Sequence, residues 1–217
     1  SREDFANFYQ SLKLEENYPG IQGLGYVVAL SPEQKQMHIN AVRQSGMLSY
    51  DIHPQGVRDK YTSNLYIEPV TKKNMRALGF DMYADTTRRD AMDRAIKTGK
   101  ASITEKVLLK QDGSDSTING LLMYLPVYID ASESDVAIGK RTIHSGWVYA
   151  VFRIDDVLQD VLVTHKNVGL LNIYDDEAEK SESLLFSQPG VASEESFSLQ
   201  KSYEVGGRTW SFVGQPD

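Results

Sequence analysis

With 217 residues, 41% apolar and 24% charged, the chain has the make-up of a globular protein of one or two domains at ~150 residues each, and neither disorder nor a fibrous repeat fits it. The net charge of −7, from 23 Lys and Arg against 30 Asp and Glu, argues against general nucleic-acid binding, which needs a basic face to displace phosphate counterions. The absence of cysteine excludes disulfide scaffolds, thiolate zinc sites and cysteine nucleophiles together, and leaves the redox compartment open.

Phe5, Phe8, Tyr9 and Leu12 fall at offsets 0, 3, 4 and 7, one apolar stripe on a helix that ends near Asn17, ahead of Pro19. Two readings stand for it, the tail of a longer rod or an ordinary packed helix. Residues 20–30 read as a glycine-punctuated strand. Ser31-Pro32-Glu33 then supplies a cap with proline at the first helical position, and Gly46 a stop. Strands are expected near 48–53 and 61–70, followed by a short helix over 72–78 closed by Gly79. Asp85 or Thr86 caps the next helix, which buries Ala91, Met92, Ala95 and Ile96 and ends at Thr98-Gly99. Residues 101–110 and 118–130 read as a hairpin around the polar loop 111–116, with both faces of Leu121 to Val127 covered. Residues 131–142 read as an exposed loop. A strand over 143–154, a helix carrying Val157, Leu158, Val161 and Leu162, and strands near 168–174, 183–187 and 197–214, the last folded at Gly206-Gly207, complete the chain. Consecutive hairpins with helices interspersed imply an α+β fold of two compact units meeting near residues 140–155.

No run approaches the ~20 apolar residues that span a bilayer, and no signal peptide leads the chain. Ser1 in place of an initiator methionine reads as the start of an excised piece, from which membrane segments could have been cut away.

Catalytic patterns are missing. His38, His53, His144 and His165 share no metal-ligand spacing, and no P-loop, GxSxG elbow or GxGxxG occurs. Gly20, Gly23 and Gly25 interleave with Ile21, Gln22 and Leu24 inside a strand, which points to close backbone packing. Asp155-Asp156 sits where a helix begins and is explained by capping; Asp175-Asp176-Glu177 sits in a turn, where solvated charge is the default. Arg88 and Arg89 lie in a helix first turn, so either they pair with Asp85 or Asp90 or one points at an anionic group; the ion pair is favoured. Asp81 follows Leu78-Gly79-Phe80 amid apolar neighbours. It either satisfies backbone amides in its turn or accepts hydrogen bonds from a ligand in a small cavity.

Tyr18-Pro19-Gly20-Ile21-Gln22-Gly23-Leu24-Gly25-Tyr26 resembles the opening signature of CHASE domains, the extracytoplasmic sensors of cytokinin-receptor histidine kinases and of many bacterial kinases and cyclases. Arg58-Asp59-Lys60-Tyr61, Tyr66-Ile67-Glu68-Pro69-Val70, Asn74, Leu78-Gly79-Phe80-Asp81, Arg89, Ala95, Thr98-Gly99-Lys100-Ala101 and Leu125-Pro126-Val127-Tyr128 continue the likeness in order, over roughly residues 15–155. The resemblance implies a long N-terminal helix (1–17) followed by two tandem PAS-like subdomains, membrane-distal (18–142) and membrane-proximal (143–217). It places a ligand in the first. On the family pattern Asp81 would bind that ligand, Ile103 would offer its backbone, and Leu65, Tyr66, Leu78, Phe80, Met123 and Leu125 would form apolar walls. Where plant receptors carry small glycines, this chain has Gly146-Trp147-Val148-Tyr149-Ala150. An inward Tyr149 would fill part of the cavity and disfavour cytokinin, so the pocket carries over and the ligand does not.

The expected function is therefore the periplasmic small-molecule sensor of a bacterial inner-membrane receptor, a histidine kinase or a diguanylate cyclase or phosphodiesterase. The domain itself would not be an enzyme and would need no cofactor. It would be membrane-tethered in the full-length protein and homodimeric along the N-terminal helix, with the Phe5/Phe8/Tyr9/Leu12 stripe as seam, and would have no nucleic-acid partner. The alternative is a module with a collapsed cavity whose role is protein interaction or dimerisation.

Overall fold

The computed structural model describes residues 1–18, 20–110, 117–131, 142–158, 170–176, 180–188 and 198–215. The leading helix α1 spans Arg2–Leu12. Lys13 then turns left-handed (φ 48°), so that a separate turn, α2 (Leu14–Asn17), replaces a continuous rod. Strand β1 (Ile21–Leu30) leads to α3 (Pro32–Gln44), at whose start the Ser31 backbone N–H donates to Gln34 Oε1 at 2.9 Å. β2 (Tyr61–Glu68), α4 (Lys72–Met75) and α5 (Thr86–Thr98) follow, the last capped by Asp85 and ended by Gly99 in the left-handed region. β3 (Ser102–Ile103), β4 (Val107–Lys110), β5 (Thr117–Asp130) and β6 (Thr142–Arg153) come next, then β7 (Leu170–Asp175), β8 (Leu184–Gln188), β9 (Leu199–Val205) and β10 (Arg208–Gln215).

These strands form two sheets in an α+β fold. One runs β2-β1-β6-β5-β3 with β4 also paired to β5, and the other runs β8-β7-β10-β9. The β1–β2, β4–β5, β7–β8, β7–β10 and β9–β10 pairs are antiparallel. The expected strand over 48–53 reduces to a single bridge between His53 and Phe80. The strand expected over 101–110 breaks into β3 and β4. The loops expected at 111–116 and 131–142 lie wholly or almost wholly outside the described residues, as do Val161, Leu162 and His165. Among the described residues no helix is long and apolar enough to cross a membrane.

The chain divides into two compact units. The first comprises Ser1–Leu12, Gly23–Ala101 and Tyr124–Ala150; the second comprises Lys13–Gln22, Ser102–Met123 and Val151–Asp217. In the first, α3 lays Ile39 and Val42 against Leu30, Tyr50, Ile52 and Tyr61, with Val28, Met47 and Leu65 around them. Here α1 docks by its Phe5 ring on Tyr66 (5.6 Å between centroids), whereas Phe8 of the same stripe is half exposed. The second unit packs Ile103, Leu121, Ile154, Ile173, Leu185, Phe186 and Trp210 together. Its β9–β10 connection is the two-residue turn Gly206-Gly207, whose positive φ at both positions is what favours the glycine pair. Asp175, expected to be solvated, is instead buried and bonded to Arg208 Nε at 2.6 Å.

Candidate functional site

The first unit holds Asp81 by a set of backbone bonds that begins at Gly79. That residue sits at φ +77°, and a Cβ there would stand 2.0 Å from the Asp51 carbonyl oxygen, so only glycine fits. Gly79 N–H donates to Asn64 O, Asn64 N–H to Phe80 O, His53 N–H to Gly79 O and Asp81 N–H to His53 O, all between 2.7 and 3.1 Å. The 79–81 turn is thus held on both sides and delivers the Asp81 side chain onto β2.

Asp81 is fully buried. Its Oδ1 accepts from the Thr62 backbone N–H (2.9 Å) and from Thr62 Oγ1 (2.8 Å); the same Oγ1 accepts from Tyr83 N–H (3.1 Å). Its Oδ2 lies 3.3 Å from Arg58 Nη1, an ion pair by distance whose angles make no hydrogen bond. Both readings of the carboxylate therefore keep a footing. One oxygen ties its turn to a strand amide, and the other retains unused acceptor capacity.

Asn64 stands two residues along β2 from Thr62, on the same face. Its Nδ2 donates to Ala77 O, and its Oδ1 is buried without a hydrogen-bond partner. Tyr149 is buried too. Its ring occupies the space above Gly25, where a Cβ would meet Cε1 at 2.3 Å, and its hydroxyl has no hydrogen-bond partner. Burial pushes the Tyr149 phenol well above its ordinary range, with the neighbouring Asn64 side chain opposing. Tyr124 packs beside it (5.9 Å between centroids) and donates to Met82 Sδ, while Trp147 Nε1 donates to Met92 O at 3.1 Å. All three aromatic rings are buried, Tyr149 pointing inward as the filled-cavity expectation requires of it.

The other expected site residues are not gathered there. Ile103 and Met123 belong to the second unit. Ile103 is buried in that core with its backbone N–H donating to Gly206 O, and Met123 packs against the same cluster. Leu125 is 48% exposed, because period-two alternation along β5 turns Tyr124 inward and Leu125 outward; the expectation that both faces of this run are covered fails at that residue. Leu65 packs against the α3 core, and the Phe80 ring lies against His53 and Arg88. Tyr66 and Leu78 line a hollow of about 10 Å³ with Arg2, Ile67, Glu68, Val70 and Met75, room for about one water. Tyr124, Asn64, Thr62 and Arg58 were not picked out from the sequence as site residues. Alternation along β5 and β2 was the available signal for the first three.

Arg88 pairs with Asp85 at 3.1 Å, as favoured above, and Gly25 is small because Tyr149 lies on it. Among the described residues no group of three or more His, Asp or Glu is placed to hold a metal. No curated protein matches the chain. A family model for the CHASE domain matches residues 1–186, and the chain accordingly belongs to the CHASE domain family, extracellular sensor domains of signalling receptors.

Proposed function

We propose that the chain is the periplasmic small-molecule-sensing portion of a bacterial membrane receptor whose output is a histidine kinase or a diguanylate cyclase or phosphodiesterase. The domain senses and does not catalyse, in keeping with its family. Its ligand engages the first unit around Asp81, Asn64 and Tyr149. One observation supports this most: Asn64 Oδ1 and the Tyr149 hydroxyl are buried with no well-formed hydrogen bond to any group but each other, and Asp81 Oδ2 beside them has only its ion pair with Arg58. Buried polar atoms left short of good hydrogen bonds are uncommon in folded chains, and a polar ligand or water would complete them. Two of the three are acceptors, so the ligand brings N–H or O–H donors. The Tyr149 ring must give way to admit it. In this reading residues 18–142 and 143–217 are PAS-like subdomains in tandem, and binding favours one of two conformations, transmitted through the N-terminal helix by no more than the ligand's differential affinity.

Asp81→Asn tests the proposal. It keeps an acceptor for Thr62 and replaces Oδ2 by a donor. In a thermal-shift screen of purines, amino acids and small aromatic amines, a ligand at 100 times its Kd adds about 2.7 kcal/mol to the wild type. Loss of that shift in Asp81→Asn, with the circular dichroism of the ligand-free variant unchanged, is the expected result. An undiminished shift refutes the site.

The burial of Tyr124, Trp147 and Tyr149 favours a second reading, a closed module that works by protein contact. Absence of any thermal shift, together with concentration-dependent self-association, would select it.

A further inference from the structure

The first unit also carries a cluster of charged and aromatic groups around His144, which shares Trp147 and Tyr83 with the region already described. The imidazole stands edge-on to the Trp147 ring (centroids 4.2 Å apart) and to Tyr128 (5.7 Å), and its Nε2 is buried with no hydrogen-bond partner. Across the same Trp147 ring lies Lys60, whose Nζ is 4.9 Å from its centroid and 4.3 Å from that of Tyr83; the two rings are stacked on each other. Asp93 on α5 is taken up by the Tyr83 hydroxyl, which donates to it at 2.7 and 2.9 Å. Arg89, also on α5, lies over the Tyr83 ring. Among the described residues the titratable and charged groups of this cluster are Tyr128 from β5, Lys60 ahead of β2, Tyr83 from the turn before α5, and Arg89 and Asp93 from α5. The carboxylate of this cluster, Asp93, is engaged by the Tyr83 hydroxyl.

We infer that His144 is a proton-operated latch: neutral, it is stacked into the Trp147–Tyr83–Lys60 cluster, and protonated, it leaves. An imidazolium there would sit in the field of a second cation, with no acceptor for its new N–H. Two charges of one sign in a half-buried site repel more strongly than in water. Burial first, and Lys60 second, hold the imidazole below its ordinary value of 6.5, with the Gly146 backbone opposing. Burial likewise holds the Lys60 ammonium below its ordinary value, with Asp93 opposing. His144 lies near the start of β6, so its departure frees Trp147 of a ring contact and loosens the strand that also carries Tyr149. The ligand of this site is the proton, and the device does not depend on the small-molecule reading.

The experiment is a fluorescence titration of the chain with Trp210→Phe, which leaves Trp147 as the single indole, from pH 8 to pH 5. A transition with a midpoint below 6.5 is expected. His144→Gln should abolish it, and Lys60→Met should raise the midpoint by removing the like charge. His38→Gln serves as control and should leave it in place. If His144→Gln fails to fold by circular dichroism, the Lys60→Met midpoint decides alone. A transition that survives His144→Gln, a midpoint unmoved by Lys60→Met, or no transition at all overturns the inference.

Discussion

A single carboxylate illustrates how much one side chain carries in this molecule. Asp81 was legible as unusual from its sequence neighbours alone, since a charge between Phe80 and Met82 must find partners. Those partners were not legible, because Thr62 and Arg58 come to it through strand pairing and a loop rather than through local spacing. With two hydrogen bonds and an ion pair at a fully buried site, Asp81→Ala should cost about 3–5 kcal/mol, the usual effect of breaking a buried charged pair. Chemical denaturation measures it; a loss below 1 kcal/mol would mean that the carboxylate is not structural. Tyr149 gives the complementary lesson. The sequence exposed it as a large ring where smaller residues were expected, and Gly25 is its counterpart, so Gly25→Ala should destabilise by about 1–3 kcal/mol through overpacking. Pairing that change with Tyr149→Ala should recover part of the loss, and a strictly additive double mutant would argue against the contact.

Among whole elements, punctuation residues were the most readable feature. Ser31-Pro32, Asp85, Gly99 and Gly206-Gly207 each act through one backbone requirement, and each marks an observed boundary. In the segment 48–53, expected as a strand, Tyr50 and Ile52 are buried as side chains of the α3 core and the backbone makes only one bridge. In β5 period-two alternation was overlooked under a continuous apolar run, which hid Tyr124 and misassigned Leu125. The β7–β10 pair shows a further limit: Asp175 and Arg208 are far apart in sequence, and only the register Trp210↔Asp175 brings them together. There, burial raises the Asp175 carboxyl above its ordinary value of 3.8, against the pull of Arg208. An acid raised on folding keeps its proton in the native state to higher pH than in the unfolded chain. Between 3.8 and the folded value the native state binds more protons, so this group's contribution to stability falls as pH rises through that window. Asp175→Asn should flatten that part of the stability-against-pH curve. An unchanged curve would assign the pH dependence to other groups.

For the molecule as a whole, the open question is how a sensor of this kind passes its state onward, and α1 is where two demands meet. Its apolar stripe was read as a seam between copies, yet the first unit already uses part of it: Phe5 packs on Tyr66, and Arg2 lies against Met47. Phe8 is 50% exposed and contributes little to its own chain. An 11-residue helix with no buried residue has little stability of its own, so its order comes from whatever it docks on. The two roles can be separated by substitution. Phe5→Ala should lower the Tm by a few degrees with little effect on association, because it removes an intramolecular ring contact. Phe8→Asp should leave the Tm within about 1 °C, as exposed substitutions do, while weakening the proposed homodimer in analytical ultracentrifugation. A dimer that withstands Phe8→Asp places the interface elsewhere, and a monomer at every concentration removes the helix-borne output route altogether.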